Sequence, residues 1–115
     1  MDFHCLHSEI CRTLANEKRQ RILGALRYGE LSVSRIAEET EIAQATVSKH
    51  LALLRSKGLV NARREGAHVY YSVANPKIIQ AFDLITEVMM ETLATQQENI
   101  GVHNTPDAGG KPHAE

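Results

Sequence analysis

Tryptophan is missing from this chain of 115 residues, and its aromatic complement is three Tyr and two Phe, 4% of the total. Its core must therefore be aliphatic, because the large ring surfaces that dominate many cores are not available. Cysteine is scarce as well: Cys5 and Cys11 are the pair, too few for a disulfide scaffold. No apolar run approaches the roughly 18–20 residues that a membrane span needs. Met1-Asp2-Phe3-His4-Cys5 is not the basic-then-apolar opening of a signal peptide. The expected setting is the cytoplasm, with reduced thiols and no membrane partner. A Ser/His/Asp pattern, a Gly-rich phosphate loop and paired carboxylates are also lacking, so catalysis is not expected. A chain of this size makes one domain and buries about two thirds of its unfolded surface. A second copy would extend so modest a core.

Net charge is low, at −1, which counts against a non-specific architectural DNA binder. Its distribution is uneven. Between Ala43 and Val73 stand Lys49, Arg55, Lys57, Arg63 and Arg64 against the single acid Glu65, with near-neutral and acidic segments on either side. A local patch suffices for phosphate contact, because charges beyond about 10 Å are largely screened at ordinary salt.

The pattern predicts helices with one hairpin. A helix over Cys5 to Leu14 is followed by one that Asn16 caps and Gly29 stops, running to about Tyr28 with Ile22, Leu23 and Leu26 on one face. Ser32 caps Val33 to Glu39; Thr40, Glu41 and Ile42 form a turn; a further helix runs from Ala43 to Lys57, with Gly58 ending it. Val60–Arg64 and His68–Val73 read as strands around Glu65-Gly66-Ala67. Asn75-Pro76 opens a last helix to about Gln97. The Gly- and Pro-bearing segment from Asn99 to Glu115 is expected to be a disordered tail, leaving 1–98 as the folded part.

On the helix from Ala43, steps of about 100° per residue put Ala43, Val47, Leu51 and Leu54 on one stripe. Gln44, Ala45, Ser48, Lys49, Ala52 and Arg55 lie opposite. That far face is small, polar and basic, and carries no acid, whereas an ordinary solvated face mixes Glu with Lys. Short side chains admit the backbone to the major groove, and Gln pairs bidentately with adenine. Lys49 and Arg55 suit phosphates, which position rather than specify. The hairpin that follows at once, with Arg63, Arg64 and His68 near Gly66, has the composition of a wing over the DNA backbone. A winged helix devoted to protein contacts would not need an acid-free face. The residues expected at DNA are Gln44, Ala45, Thr46, Ser48, Lys49, His50, Arg55, Arg63, Arg64 and His68.

The runs Leu14-Ala15-Asn16-Glu17-Lys18-Arg19-Gln20-Arg21-Ile22-Leu23, Ile36-Ala37-Glu38, Gln44 through Val60 with its Ser48-Lys49-His50-Leu51 centre, Arg63-Arg64-Glu65-Gly66 and Val69-Tyr70-Tyr71 together resemble the ArsR/SmtB family of winged helix-turn-helix repressors. The resemblance spans roughly Leu14 to Val73. It implies a mainly helical fold with a β-hairpin wing and a homodimer formed through terminal helices. It also implies an inverted-repeat operator of double-stranded DNA, released in many members by a metal or other inducer. The chain departs from the family pattern in holding Glu41 where the turn usually has Gly, Ala43 where the recognition helix usually opens with Ser, and Ala67 at the wing tip.

In the last helix Ile78, Ile79, Phe82, Ile85, Val88, Met89 and Leu93 step by threes and fours. The stripe is broader than so small a core needs, and the resemblance implies that it pairs with its mate. Ile78, Phe82, Ile85, Met89 and Leu93 are the expected dimer contacts.

Inducer sensing is the open point. Where the best-known family sensors carry two cysteines before the recognition helix, this chain has Leu31-Ser32-Val33-Ser34-Arg35, and hydroxyls are poor ligands for soft metals. Asp83 matches one ligand of a second family site, but Ile85 stands in place of its His. The remaining candidates are His4, Cys5, His7 and Cys11, donors suited to zinc, copper or arsenite or to thiol oxidation. Cys5 and Cys11 sit about 120° apart on a helix, so one rigid helix does not chelate through both. The alternatives are semi-buried structural cysteines with no inducer site, or a mixed site of His4 or His7 with Asp83, Glu87 or Glu91.

Overall fold

The computed structural model describes residues 2–103, with side chains described to residue 97. The elements run α1 (Phe3–Leu14), α2 (Glu17–Ala25), β1 (Leu31–Ser32), α3 (Val33–Thr40), α4 (Gln44–Ser56), β2 (Val60–Glu65), β3 (His68–Val73) and α5 (Lys77–His103). They divide into two compact units, Met1–Ile79 and Gln80–Glu115.

Local chemistry sets most of the boundaries in the first unit. Asn16 Oδ1 accepts the Arg19 amide at 3.0 Å, and Ser32 Oγ accepts the Arg35 amide at 3.3 Å, so both expected caps are formed. α2 ends at Ala25 rather than Tyr28 because its last turn tightens. The amides of Leu26, Arg27 and Gly29 bond carbonyls three residues back, at Leu23, Gly24 and Leu26, the tighter pattern common at helix ends. α4 closes with both bonds of a Schellman motif: Leu59 N to Leu54 O, and Gly58 N to Arg55 O, each at 2.9 Å. The left-handed backbone it requires falls on Gly58, at φ 76°.

The core lies among α2, α3, α4 and the start of β2. Ile22, Leu23, Ile36, Val47 and Leu54 are fully buried, with Leu51 and Val60 each 1% exposed. Each such side chain contributes roughly 1.5–3 kcal/mol of burial. No ring is among them, as the composition requires.

The sheet has three strands in the order β1-β3-β2, all antiparallel. The hairpin register Glu65↔His68 leaves Gly66-Ala67 as a two-residue turn. Gly66 has φ 63° and Ala67 no positive φ, the pattern of a type II′ turn. β1 was not expected. Two residues, Leu31↔Tyr71 and Ser32↔Tyr70, are too short to show alternation and become a strand because β3 presents a free edge to them.

At the start of α5, Asn75 Oδ1 accepts the Lys77 amide at 3.0 Å, as the Asn-Pro pair predicts. The helix continues past the expected end at Gln97 to His103. The rest of the expected tail, 104–115, lies outside the described residues. Within the second unit, Leu84, Ile85, Val88, Met89, Met90 and Leu93 are 50–62% exposed, and Phe82 is half-buried. Among the described residues no helix is long and apolar enough to cross a membrane.

Candidate nucleic-acid interface

α3, the turn and α4 form a helix-turn-helix. Glu41 takes the turn with φ 58°, the left-handed conformation for which glycine is the usual residue. Ala43 at the N-cap of α4 provides no side-chain bond. With Val47, Leu51 and Leu54 buried, the helix turns Gln44, Ala45, Ser48, Lys49, Ala52 and Arg55 to solvent. None of these is acidic. The side chains of Lys49 and Arg55 have no ion-pair partner among the described residues, so their charge is uncompensated. A cation committed to a carboxylate would have to break that pair before meeting a phosphate.

Thr46 and His50, also expected at DNA, are half-buried. His50 Nδ1 lies 3.3 Å from Arg19 Nη1 on α2. Partial burial holds the ring below the ordinary histidine pKa, and the charges of Arg19, Lys18 and Lys49 add to this.

The two wing arginines differ. Arg63 donates to Glu30 through Nε, at 3.1 and 3.2 Å to the two carboxylate oxygens, and again through Nη2. It reaches Glu65 at 2.8 Å, and its guanidinium lies 5.1 Å from the centre of the Tyr70 ring. These bonds hold the Arg63 proton more tightly than usual and, with the Arg63 hydrogen bond as the main cause, keep the Glu30 carboxyl below the ordinary range. Arg64, next in the strand and on its other face, is exposed with no ion-pair partner for its side chain among the described residues. His68 is exposed beside the turn, its ring 6.2 Å from that of Tyr70. Glu30 was not read from the sequence. Ser32 and Arg63 both pair with Tyr70, so only the three-stranded sheet brings the segment before β1 next to Arg63.

In α1 both cysteines are exposed and free, rather than semi-buried. Cys11 Sγ approaches His7 Nδ1 at 3.7 Å, one turn away. Cys5 does not join them, and His4 and His7 lie beside Phe3, with ring centres at 5.6 and 6.1 Å. Among the described residues no three His, Cys, Asp or Glu side chains gather as metal ligands.

An acid-free outward helix on a helix-turn-helix, followed by a short sheet ending in a basic hairpin, defines a winged helix-turn-helix DNA-binding domain. Residues 16–62 match the bacterial regulatory proteins of the arsR family. The chain is 37% identical over 76 residues to the transcriptional activator HlyU of Vibrio cholerae, covering 66% of this chain and 70% of that protein. It is 40% identical over 87 residues to the HTH-type transcriptional regulator Rv0324 of Mycobacterium tuberculosis, 76% of this chain but 38% of that longer protein. In structure it is similar to the homodimeric winged helix-turn-helix DNA-binding domain Mb0332 of Mycobacterium bovis. There the TM-score is 0.69 at 39% identity, over 76% of this chain and 82% of that one. The chain belongs to the ArsR family of transcriptional regulators.

Proposed function

We propose that this regulator is a cytoplasmic homodimeric repressor that occupies an inverted-repeat operator, with α4 in the major groove and the hairpin as wing. The observation that carries the reading is the outward row of α4, where Gln44, Ser48, Lys49 and Arg55 stand exposed without an acid among them. Gln44 is assigned to base reading, and Lys49, Arg55 and Arg64 to phosphates, because the first offers a donor–acceptor pair and the others positively charged donors without an acceptor. The exposed apolar face of α5, with Ile85, Met89 and Leu93, supports pairing with a second copy.

The inducer is assigned to α1. The approach of Cys11 to His7 supports a thiol-based site for arsenite, zinc, copper or an oxidant, with Cys5 and His4 nearby in sequence. The alternative reading is a regulator of the same fold without a metal site that answers another ligand or none.

Fluorescence anisotropy on DNA from the protein's own promoter tests both parts. Wild type and Cys5→Ser/Cys11→Ser are titrated with arsenite, zinc, copper and a mild oxidant. Release of wild type alone by one agent supports the thiol site, and retention of both by every agent removes it. Equal loss of operator and random DNA by Gln44→Ala would remove that residue from base readout.

A further inference from the structure

Arg19 joins three helices. Its amide is capped by Asn16 within α2, its Nε donates to the carbonyl of Thr13 in α1 at 2.6 Å, and its Nη1 reaches His50 Nδ1 in α4 at 3.3 Å. Arginine has donors and no acceptor, and it does not deprotonate in proteins. A ring nitrogen facing it must therefore be the bare, accepting one. The hydrogen of a neutral imidazole then sits on Nε2. Nε2 has no partner among the described residues. Since no buried side-chain polar atom there lacks a partner, Nε2 reaches solvent.

We propose that Arg19 fixes His50 as the neutral tautomer with its hydrogen on Nε2, so that the recognition helix offers DNA one uncharged donor from a ring placed by the end of α1. This rests on the operator-binding reading above. Arg19 thereby becomes a positioning residue that gives His50 a defined polarity, and with the ion pair of Glu9 and Lys57 at 3.7 Å it links α1 to the DNA-reading helix.

The sign of the pH response separates this arrangement from an ordinary exposed histidine. A free histidine beside phosphates prefers to be charged, so its contact strengthens as pH falls. Protonating His50 at Nδ1 instead removes the acceptor and sets a cation against Arg19. The other charges acting on the ring, Lys18 of α2 and Lys49 of its own helix, are positive too. The neutral form is thus favoured in the fold, and its contribution is fully present above about pH 6.5 and is lost as pH falls through the lowered pKa of the ring.

Two measurements on the full chain test the proposal. Nitrogen-15 spectra of the free protein at pH 7.5 report the tautomer without reference to DNA; a bare Nδ1 and a protonated Nε2 are expected at His50, and the reverse overturns the clasp. Anisotropy with operator DNA from pH 7.5 to 5.5 is then compared between wild type and His50→Asn, which keeps an acceptor near the δ position but does not titrate. The variant is expected to bind more weakly at pH 7.5. Wild type is expected to lose several-fold more affinity on acidification than the variant, and less than about tenfold, because a ring titrating below about 6.5 is at most about 90% protonated at pH 5.5. A wild-type loss equal to or smaller than the variant's, or a gain, overturns the proposal. Absence of operator binding at every pH overturns the repressor reading and the role at DNA, while the spectra still decide the tautomer.

Discussion

Glycine at position 41 is expected to stabilise the DNA-reading unit relative to alanine there by about 0.5–1 kcal/mol. The native residue is Glu41 with φ 58°, and a left-handed conformation costs a residue bearing a Cβ roughly 1–2 kcal/mol. Glycine avoids that cost but gives up about 0.4–1 kcal/mol to the greater freedom of its unfolded chain. The difference leaves about 0.5–1 kcal/mol in favour of Glu41→Gly over Glu41→Ala. Comparing the two variants matters because both delete the carboxylate, so the charge at the entrance to α4 cancels and the backbone alone remains. Urea unfolding at one fixed protein concentration gives the two midpoints, with equal slopes required for the comparison. Should Glu41→Ala prove as stable as Glu41→Gly, the turn is not left-handed in solution and the reasoning fails.

Leu51→Ala, at a side chain 1% exposed, is expected to cost about 2–5 kcal/mol of unfolding free energy; a loss below 1 kcal/mol would place Leu51 outside the core. Glu30→Gln tests the wing tie. Since Arg63 lowers the Glu30 pKa, the wild-type contribution is present above about pH 4.5 and fades as pH falls through the lowered value. The stability gap between the two proteins should therefore shrink from pH 6 to pH 3; a constant gap counts against the tie. Arg64→Ala is expected to lower the salt slope of DNA binding by about 1 with similar losses on all sequences, measured by anisotropy at several salt concentrations. Ile85→Asp should turn a dimer into monomer and abolish operator binding, and an intact dimer in sedimentation would free the α5 face from that role.

Asn16, Ser32 and Gly58 were legible because a cap or a left-handed stop is a local matter, decided by the residue and its next few amides. The recognition face was legible for a similar reason: helical geometry alone sends Val47, Leu51 and Leu54 to one side and Gln44, Ser48 and Lys49 to the other. Glu41 and Ala43 also stood out in advance as departures from the family pattern, and in the structure the first takes a positive φ while the second leaves the helix start uncapped. The wing read as two equivalent arginines, and the structure separates them. Thr46 and His50, expected at DNA together with residues that prove exposed, are each half-buried, which their residue type did not reveal.

The sequence by itself determined which segments are helix and hairpin, which side of α4 faces outward, and that the core has to be aliphatic. Periodicity and capping act within a few residues, and one strand of text holds all of that information. Tertiary structure alone decided that Leu31–Ser32 becomes a strand, that Glu30 holds Arg63, and that Arg19 stands against His50, 31 residues away. Each of these depends on bringing distant backbone together at hydrogen-bonding range. Residue identity cannot state that distance; it is set by how the buried faces of α2, α3 and α4 pack.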